Sequence, residues 1–105
     1  MVNIKFYPAR SDDMELLTVS VKGFVVTMNG EVFDFSPLKD GDSLHPDAVD
    51  NLYFTDDITV TGSDLNIGLL MPYRFTEDKF ILFPSPVSVK SGKVAVPTDS
   101  QKEAQ

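Results

Sequence analysis

The chain has no cysteine and a single histidine in 105 residues. Without thiols there is no disulfide framework and no thiolate chemistry, which fits a reducing compartment. Tetrahedral zinc sites draw on several His or Cys side chains, so a zinc centre is not expected either. Basic residues are also few: nine Lys and Arg against sixteen Asp and Glu, for a net charge of −7. Such a surface repels phosphate backbones and anionic lipid, so neither nucleic acid nor membrane is an expected partner. The opening "MVNIKFYPAR" lacks the long apolar stretch of a signal peptide. Nowhere does an apolar run approach the ~20 residues of a membrane span. The expectation is a soluble cytosolic protein, with residues 1–97 as a single β domain and 98–105, "TDSQKEAQ", as a flexible tail.

What the chain does have is turn dipeptides between alternating apolar runs. Asn29-Gly30 is the strongest, because both residues tolerate the positive φ of a type I′ turn. A two-residue loop there sets Met28 against Glu31, Val26 against Phe33 and Phe24 against Phe35, on one largely apolar face. A slip of one residue would destroy that match. Taking Lys22-Gly23 as a second loop sets Val21 against Phe24, Val19 against Val26 and Leu17 against Met28. Residues 15–35 then read as a three-stranded meander. Gly62-Ser63 pairs Val60 with Leu65 and Ile58 with Ile67. Ser91-Gly92 pairs Val89 with Val94 and Val87 with Val96.

The remaining segments follow the same pattern. "VNIKFY" is expected as a strand stopped by Pro8, "NLYFT" as a strand or part of one, and "FILF" at 80–83 as a short strand closed by Pro84 and Pro86. Only "HPDAVDN" invites a helical turn, with Pro46 at its first position and Asp47 in the first turn. Gly68, inside a strand pattern, signals a bulge or a close backbone approach. The fold class is all-β: a small antiparallel β-sandwich or partly open barrel of about eight short strands built from hairpins.

No chemical constellation emerges. His45 lies near Ser43, but without a nucleophile-elbow pattern the pair reads as surface loop. Asp40-Gly41-Asp42 alternates carboxylates like a calcium loop, yet the twelfth position from Asp40 is Asn51 rather than a bidentate Glu. The triplet reads as a turn. Asp12-Asp13 and Asp56-Asp57 are adjacent pairs that a strand would send to opposite faces. No catalytic, cofactor or metal residues are assigned, and the chain is not expected to be an enzyme.

Contact residues are better candidates. Tyr73, Arg74 and Phe75 lie in the proline-led "MPYRFTEDK", read as a loop, and Tyr and Arg are favoured interface anchors. Leu16, Val25, Val32 and Leu70 fall on expected outer faces, where contiguous apolar area marks a contact surface. Val25 and Val32 are the central pair. The expected partner is a second copy of the chain, as a homo-oligomer, or another protein. A small-ligand-binding or chaperone-like β module is the alternative.

The run "TMNGEVFDFSPL", with "KDGDSL", "LLMPY" and "FPSPV" after it, resembles small uncharacterised proteins encoded in prophages among tail genes. The specific part is Asn29, Gly30, Glu31, Phe33, Asp34, Phe35, Ser36, Pro37 and Leu38. The resemblance implies a phage tail-accessory role through contacts with tail proteins, in the cytoplasm of the bacterial host or incorporated in a virion. It transfers no catalytic residue.

Gly30 offers a direct check of the turn. Gly30→Val is expected to destabilise by roughly 1–3 kcal/mol, because a β-branched residue resists positive φ. An unchanged denaturation midpoint would exclude the turn.

Overall fold

The computed structural model describes residues 1–99 and 101. Among these residues are nine strands: β1 (Val2–Arg10), β2 (Val19–Lys22), β3 (Val25–Met28), β4 (Glu31–Asp34), β5 (Ser43–Leu44), β6 (Ile58–Thr61), β7 (Asp64–Tyr73), β8 (Val87–Val89) and β9 (Ser91–Lys93). A 3-10 turn covers Pro46–Val49, and a short helix, α1, covers Lys79–Leu82. The strands form a five-stranded sheet ordered β5-β6-β7-β1-β8 and a four-stranded sheet ordered β4-β3-β2-β9. One hydrophobic cluster draws on both, with Ile4, Leu65, Leu69 and Met71 from the first sheet and Val19, Val26 and Met28 from the second. The protein is therefore all-β, a two-layer sandwich rather than a barrel.

Two hairpins stand in the expected register. Met28 faces Glu31 and Val26 faces Phe33, and both loop residues, Asn29 at φ 50° and Gly30 at φ 84°, take the left-handed conformation of a I′ turn. Asn29 adds a tertiary bond, its side-chain oxygen accepting the Thr18 backbone N–H at 2.7 Å. Val60 faces Leu65 across Gly62-Ser63. The 3-10 turn at Pro46 also stands as expected, capped by His45.

The β2–β3 loop is Gly23-Phe24 rather than Lys22-Gly23. Val19 faces Met28 and Val21 faces Val26. The register moves by two, so the parity survives and Val19, Val21, Val26 and Met28 are still all buried. Phe24 leaves the ladder for the turn, and its carbonyl accepts the Phe35 N–H at 2.9 Å. Residues 15–18 precede β2, and both Leu16 and Leu17 are buried, although Leu16 was expected on an outer face.

Four further readings are corrected. Ser91-Gly92 is not a hairpin: β8 pairs antiparallel with β1, while β9 pairs antiparallel with β2 in the other sheet. The chain turns a corner between the layers at Lys90. "FILF" is helical, because Asp78 caps the turn by accepting the Phe80 N–H at 2.9 Å. "NLYFT" contributes only an isolated bridge, Phe54 to Leu69. Phe54 itself is buried, edge-on to Phe33 and Phe35 at centroid distances of 5.0 and 5.8 Å.

The fourth correction concerns the centre. β1 does not stop at Pro8, and β7 runs on through Pro72 to Tyr73. The two strands pair in parallel from Val2↔Leu65 to Arg10↔Tyr73, the one parallel pairing among the named strands. Leu65 N–H donates to the Met1 carbonyl and Ser11 N–H to the Tyr73 carbonyl. Odd-numbered residues of β1 and β7 thus address each other, and even-numbered ones face away. Both prolines are even-numbered. Pro8 points past the end of β8, which pairs only with Val2–Ile4. Pro72 lies beyond the Asp64–Asn66 stretch that meets β6. Neither missing N–H interrupts the ladder.

Packing also continues past residue 97. Thr98 is fully buried, Asp99 accepts the Val96 N–H at 3.0 Å, and Gln101 brackets Arg74, accepting its N–H at 2.8 Å and donating to its carbonyl at 2.9 Å. Residues 100 and 102–105 of the expected tail lie outside the described residues.

The Thr98 hydroxyl is buried without a hydrogen-bond partner. Thr98→Val keeps the shape and removes the orphaned group, so it is expected to raise stability by about 1 kcal/mol. A lower chemical-denaturation midpoint would mean that the hydroxyl is satisfied in solution.

Candidate interaction surfaces

The sandwich leaves several side chains that capacity for burial would normally take inside. Phe80 is 83% exposed, Phe83 77% and Phe75 67%. All three follow β7, in the segment that α1 organises. Ile81 anchors α1 in the core. Residues 80 and 83, three apart, then sit on the outward side of the turn. Phe80 also borders a shallow groove of about 310 Å³ with Val87, Ala95, Val96 and Pro97. The signal for this surface was present as Asp78 three residues before Ile81 and Pro84 just after Phe83, a cap and a stop around one turn.

The expected triplet at 73–75 divides. Tyr73 ends β7, half-buried against the core. Arg74 is occupied in holding chain segments together: its guanidinium donates to the Ser11 carbonyl at 2.5 Å while Gln101 holds its backbone. Phe75 alone faces outward, under the Arg10 guanidinium at 5.3 Å. Val25 and Val32 lie on the outer face of the four-stranded sheet, where Thr27 faces Val32 and Val25 faces Asp34. Val32 is 62% exposed, whereas Val25, like Leu70, is half-buried.

The outer face of the five-stranded sheet is polar. The Ser88 hydroxyl donates to the Asn3 side-chain oxygen at 2.6 Å, the Asn3 side-chain amide donates to the Asn66 side-chain oxygen at 2.9 Å, and the Asn66 side-chain amide donates to the Thr59 hydroxyl at 3.3 Å. This row crosses four strands. Beside it Gly68 leaves a gap that is already claimed. A Cβ on Gly68 would stand 2.5 Å from the Asp56 carboxylate and 2.9 Å from the Tyr7 ring. The Tyr7 hydroxyl donates to that same carboxylate at 2.5 Å. The close approach anticipated at Gly68 is thus a seat for Asp56. A groove of about 330 Å³ lies alongside, between Asn3, Lys5, Asp57, Asn66 and Pro86.

The remaining polar candidates serve the backbone. His45 Nδ1 accepts the Asp47 N–H at 3.2 Å as a cap. Asp40 accepts the Gly62 N–H at 2.9 Å, and Asp42 the Lys39 N–H at 2.8 Å, so the two carboxylates stabilise different turns. Among the described residues no group of three or more His, Cys, Asp or Glu converges to hold a metal ion. Likewise no helix among them is long and apolar enough to cross a membrane. Asp64 accepts from the Met1 ammonium at 3.2 Å and from Asn3 at 3.4 Å, in that order of effect, which holds its carboxyl below the ordinary range. Burial chiefly pushes the Tyr53 phenol up, with the Glu15 charge adding to it.

No family model matches the chain, and neither does any curated protein or solved structure.

Gly68→Ala is expected to cost about 1–3 kcal/mol, because Asp56 must leave its seat and give up the Tyr7 bond. In an Asp56→Ala background the same change should cost clearly less. Equal costs in both backgrounds, measured by urea unfolding, would show that the Asp56 seat is not what the glycine is there for.

Proposed function

We propose that the chain is a non-catalytic interaction protein, a tail-accessory component of a phage or prophage particle, which acts through protein–protein contacts. The observation that carries this reading is the display of Phe80 and Phe83 around a turn whose Ile81 is locked in the core. Burying Phe80 and Phe83 in a partner would remove on the order of 300 Å² of apolar surface from water. At about 25 cal/mol per Å² that is several kcal/mol of favourable transfer free energy before the costs of association. Aromatic side chains on a fixed element also lose little conformational freedom on docking. What supports the phage setting is the resemblance carried by Asn29 to Leu38, and with it goes a location in the host cytoplasm or in a virion.

A second reading has an observation of its own. The groove of about 330 Å³ on the five-stranded sheet is mostly apolar in its lining, with Asn3, Lys5, Asp57 and Asn66 among its polar groups, which suits a small, largely apolar ligand that carries a polar end.

Co-expression with the products of neighbouring genes discriminates. Wild-type protein is expected to co-purify with one of them, and Phe80→Ser/Phe83→Ser to weaken that complex by at least about tenfold while keeping a β-sheet circular dichroism spectrum. Undiminished binding by the double variant would remove the aromatic surface from the account. A gene neighbourhood without tail components would remove the phage setting.

A further inference from the structure

The four-stranded sheet ends in two open edges of opposite charge. At one end is β4, with Glu31, Val32 and Asp34 all exposed. Its two-residue turn makes Met28–Glu31 a hydrogen-bonded pair, and the same phase recurs where Phe35 N–H donates to the Phe24 carbonyl. The backbone groups of Val32 and Asp34 therefore point out of the sheet edge. At the other end is β9, with Ser91, Gly92 and Lys93 all exposed. Val94 N–H donates to the Val19 carbonyl at 2.8 Å, so Gly92 and Val94 address β2, and Ser91 and Lys93 point outward. Each edge thus presents two residues' worth of unused ladder groups, in matching phase. Glu31 and Asp34 make the β4 edge acidic. Lys90 and Lys93, with Lys22 in register with Ser91, make the β9 edge basic.

Pairing like with like is disfavoured. An antiparallel β4–β4 contact about a two-fold axis would set Val32 of each copy against Asp34 of the other and bring the two Asp34 carboxylates diagonally together across the seam, and a β9–β9 contact would gather lysines. The topology suits the remaining combination. Four strands alternating in direction leave β4 antiparallel to β9. A copy displaced sideways in the plane of the sheet continues the alternation without being turned over, with the same face toward the core. Matching the outward-pointing residues puts Val32 opposite Lys93 of the second copy and Asp34 opposite its Ser91. Asp34 is then diagonal to that Lys93 and in one row with that Lys22. On the inner face Phe33 meets Gly92 of the second copy, which has no side chain to obstruct it.

We propose that β4 of one copy adds to β9 of a second copy, so that the chain assembles head-to-tail through the edges of its four-stranded sheet. The contact is heterologous, so it propagates into a ring or an open filament. With so few ladder groups it is weak, concentration-dependent and sensitive to salt. The proposal rests on reading the chain as an interaction protein, but it uses residues separate from Phe80 and Phe83.

Sedimentation velocity on the full chain across concentration and salt tests it. Wild type is expected to form species larger than a dimer at low salt and to dissociate as salt rises. Glu31→Lys/Asp34→Lys gives a copy with two basic edges, and Lys90→Glu/Lys93→Glu a copy with two acidic ones. Each alone is expected to lose at least about tenfold in association, and an equimolar mixture to recover it. A reversal variant that loses its β-sheet spectrum is replaced by Glu31→Gln/Asp34→Asn, which keeps the acceptor that Asp34 offers the Ser36 N–H. That variant must weaken association and flatten its salt dependence. Wild type that stays monomeric at every concentration and salt overturns the proposal, as does a mixture that fails to recover. Assembly abolished by Phe80→Ser/Phe83→Ser but indifferent to the edge variants also overturns it, and leaves the aromatic reading standing. Edge-dependent assembly with no Phe-dependent partner has the opposite outcome.

Discussion

The parallel pairing of β1 with β7 is the constraint on which the rest of the sandwich depends. It makes β7 the central strand of the five-stranded sheet and sets the N-terminal strand beside it, so β8 has an edge to join and β6 a strand to fold back upon. Its inward side chains, Val2, Ile4 and Phe6 with Leu65, Ile67, Leu69 and Met71, are all buried and form the floor of the core. Its outward side carries the Asn3–Asn66 bond and the gap at Gly68 that seats Asp56. Even its ends are fixed by it. The Met1 ammonium reaches Asp64, and Ser11 binds both the Tyr73 carbonyl and the Arg74 guanidinium. Joining residues more than fifty positions apart orders a long loop, so this pairing forms against a large entropic cost and is worthwhile only with the core behind it.

The two layers are joined late in the chain. β8 completes the edge of one sheet and β9 the edge of the other, with Lys90 alone between them. A sandwich with only local hairpins could slide its sheets past each other. Here a short corner fixes their offset, and Val94 and Val96, buried just beyond it, close the core. The last described residues reinforce this arrangement. Asp99 folds back on Val96, and Gln101 binds the strand end at Arg74.

These two features mark where sequence reasoning succeeds and where it fails. Asn29-Gly30 and Gly62-Ser63 were legible because a turn that needs positive φ leaves a compositional trace, and because the partners lie within a few residues. At Gly23 the loop was misplaced by one residue, yet period-two parity kept Val19, Val21, Val26 and Met28 on the correct face. Ser91-Gly92 misled for a related reason. Val87, Val89, Val94 and Val96 alternate as a hairpin would, but two strands in opposite layers also turn their apolar residues toward one shared core. Alternation identifies a face and leaves the partner strand undetermined. The parallel pair leaves no local signal at all, and its two prolines argued against it until the backbone phase showed them facing away from each other. The candidate surface was half legible. Val32 and Phe75 are exposed as anticipated, but Arg74 is structural. Phe80 and Phe83 were hidden in a segment too short to display a helical period.

The four sheet edges are protected in different ways, and the difference has consequences. β5 is two residues long, and β8 is entered through Pro84 and Pro86, so the five-stranded sheet offers a partner little ladder at either end. The four-stranded sheet has exposed edges that carry charge. A shortened strand or a proline rejects every incoming strand alike. A charged edge rejects only strands of its own sign, and it favours one of the opposite sign. A second copy, with its net charge of −7, is on the whole repelled by the acidic β4 edge. Lys22, Lys90 and Lys93 gather basic charge at the β9 edge. Charge placed in this way therefore disfavours like-with-like edge pairing while leaving one geometry open.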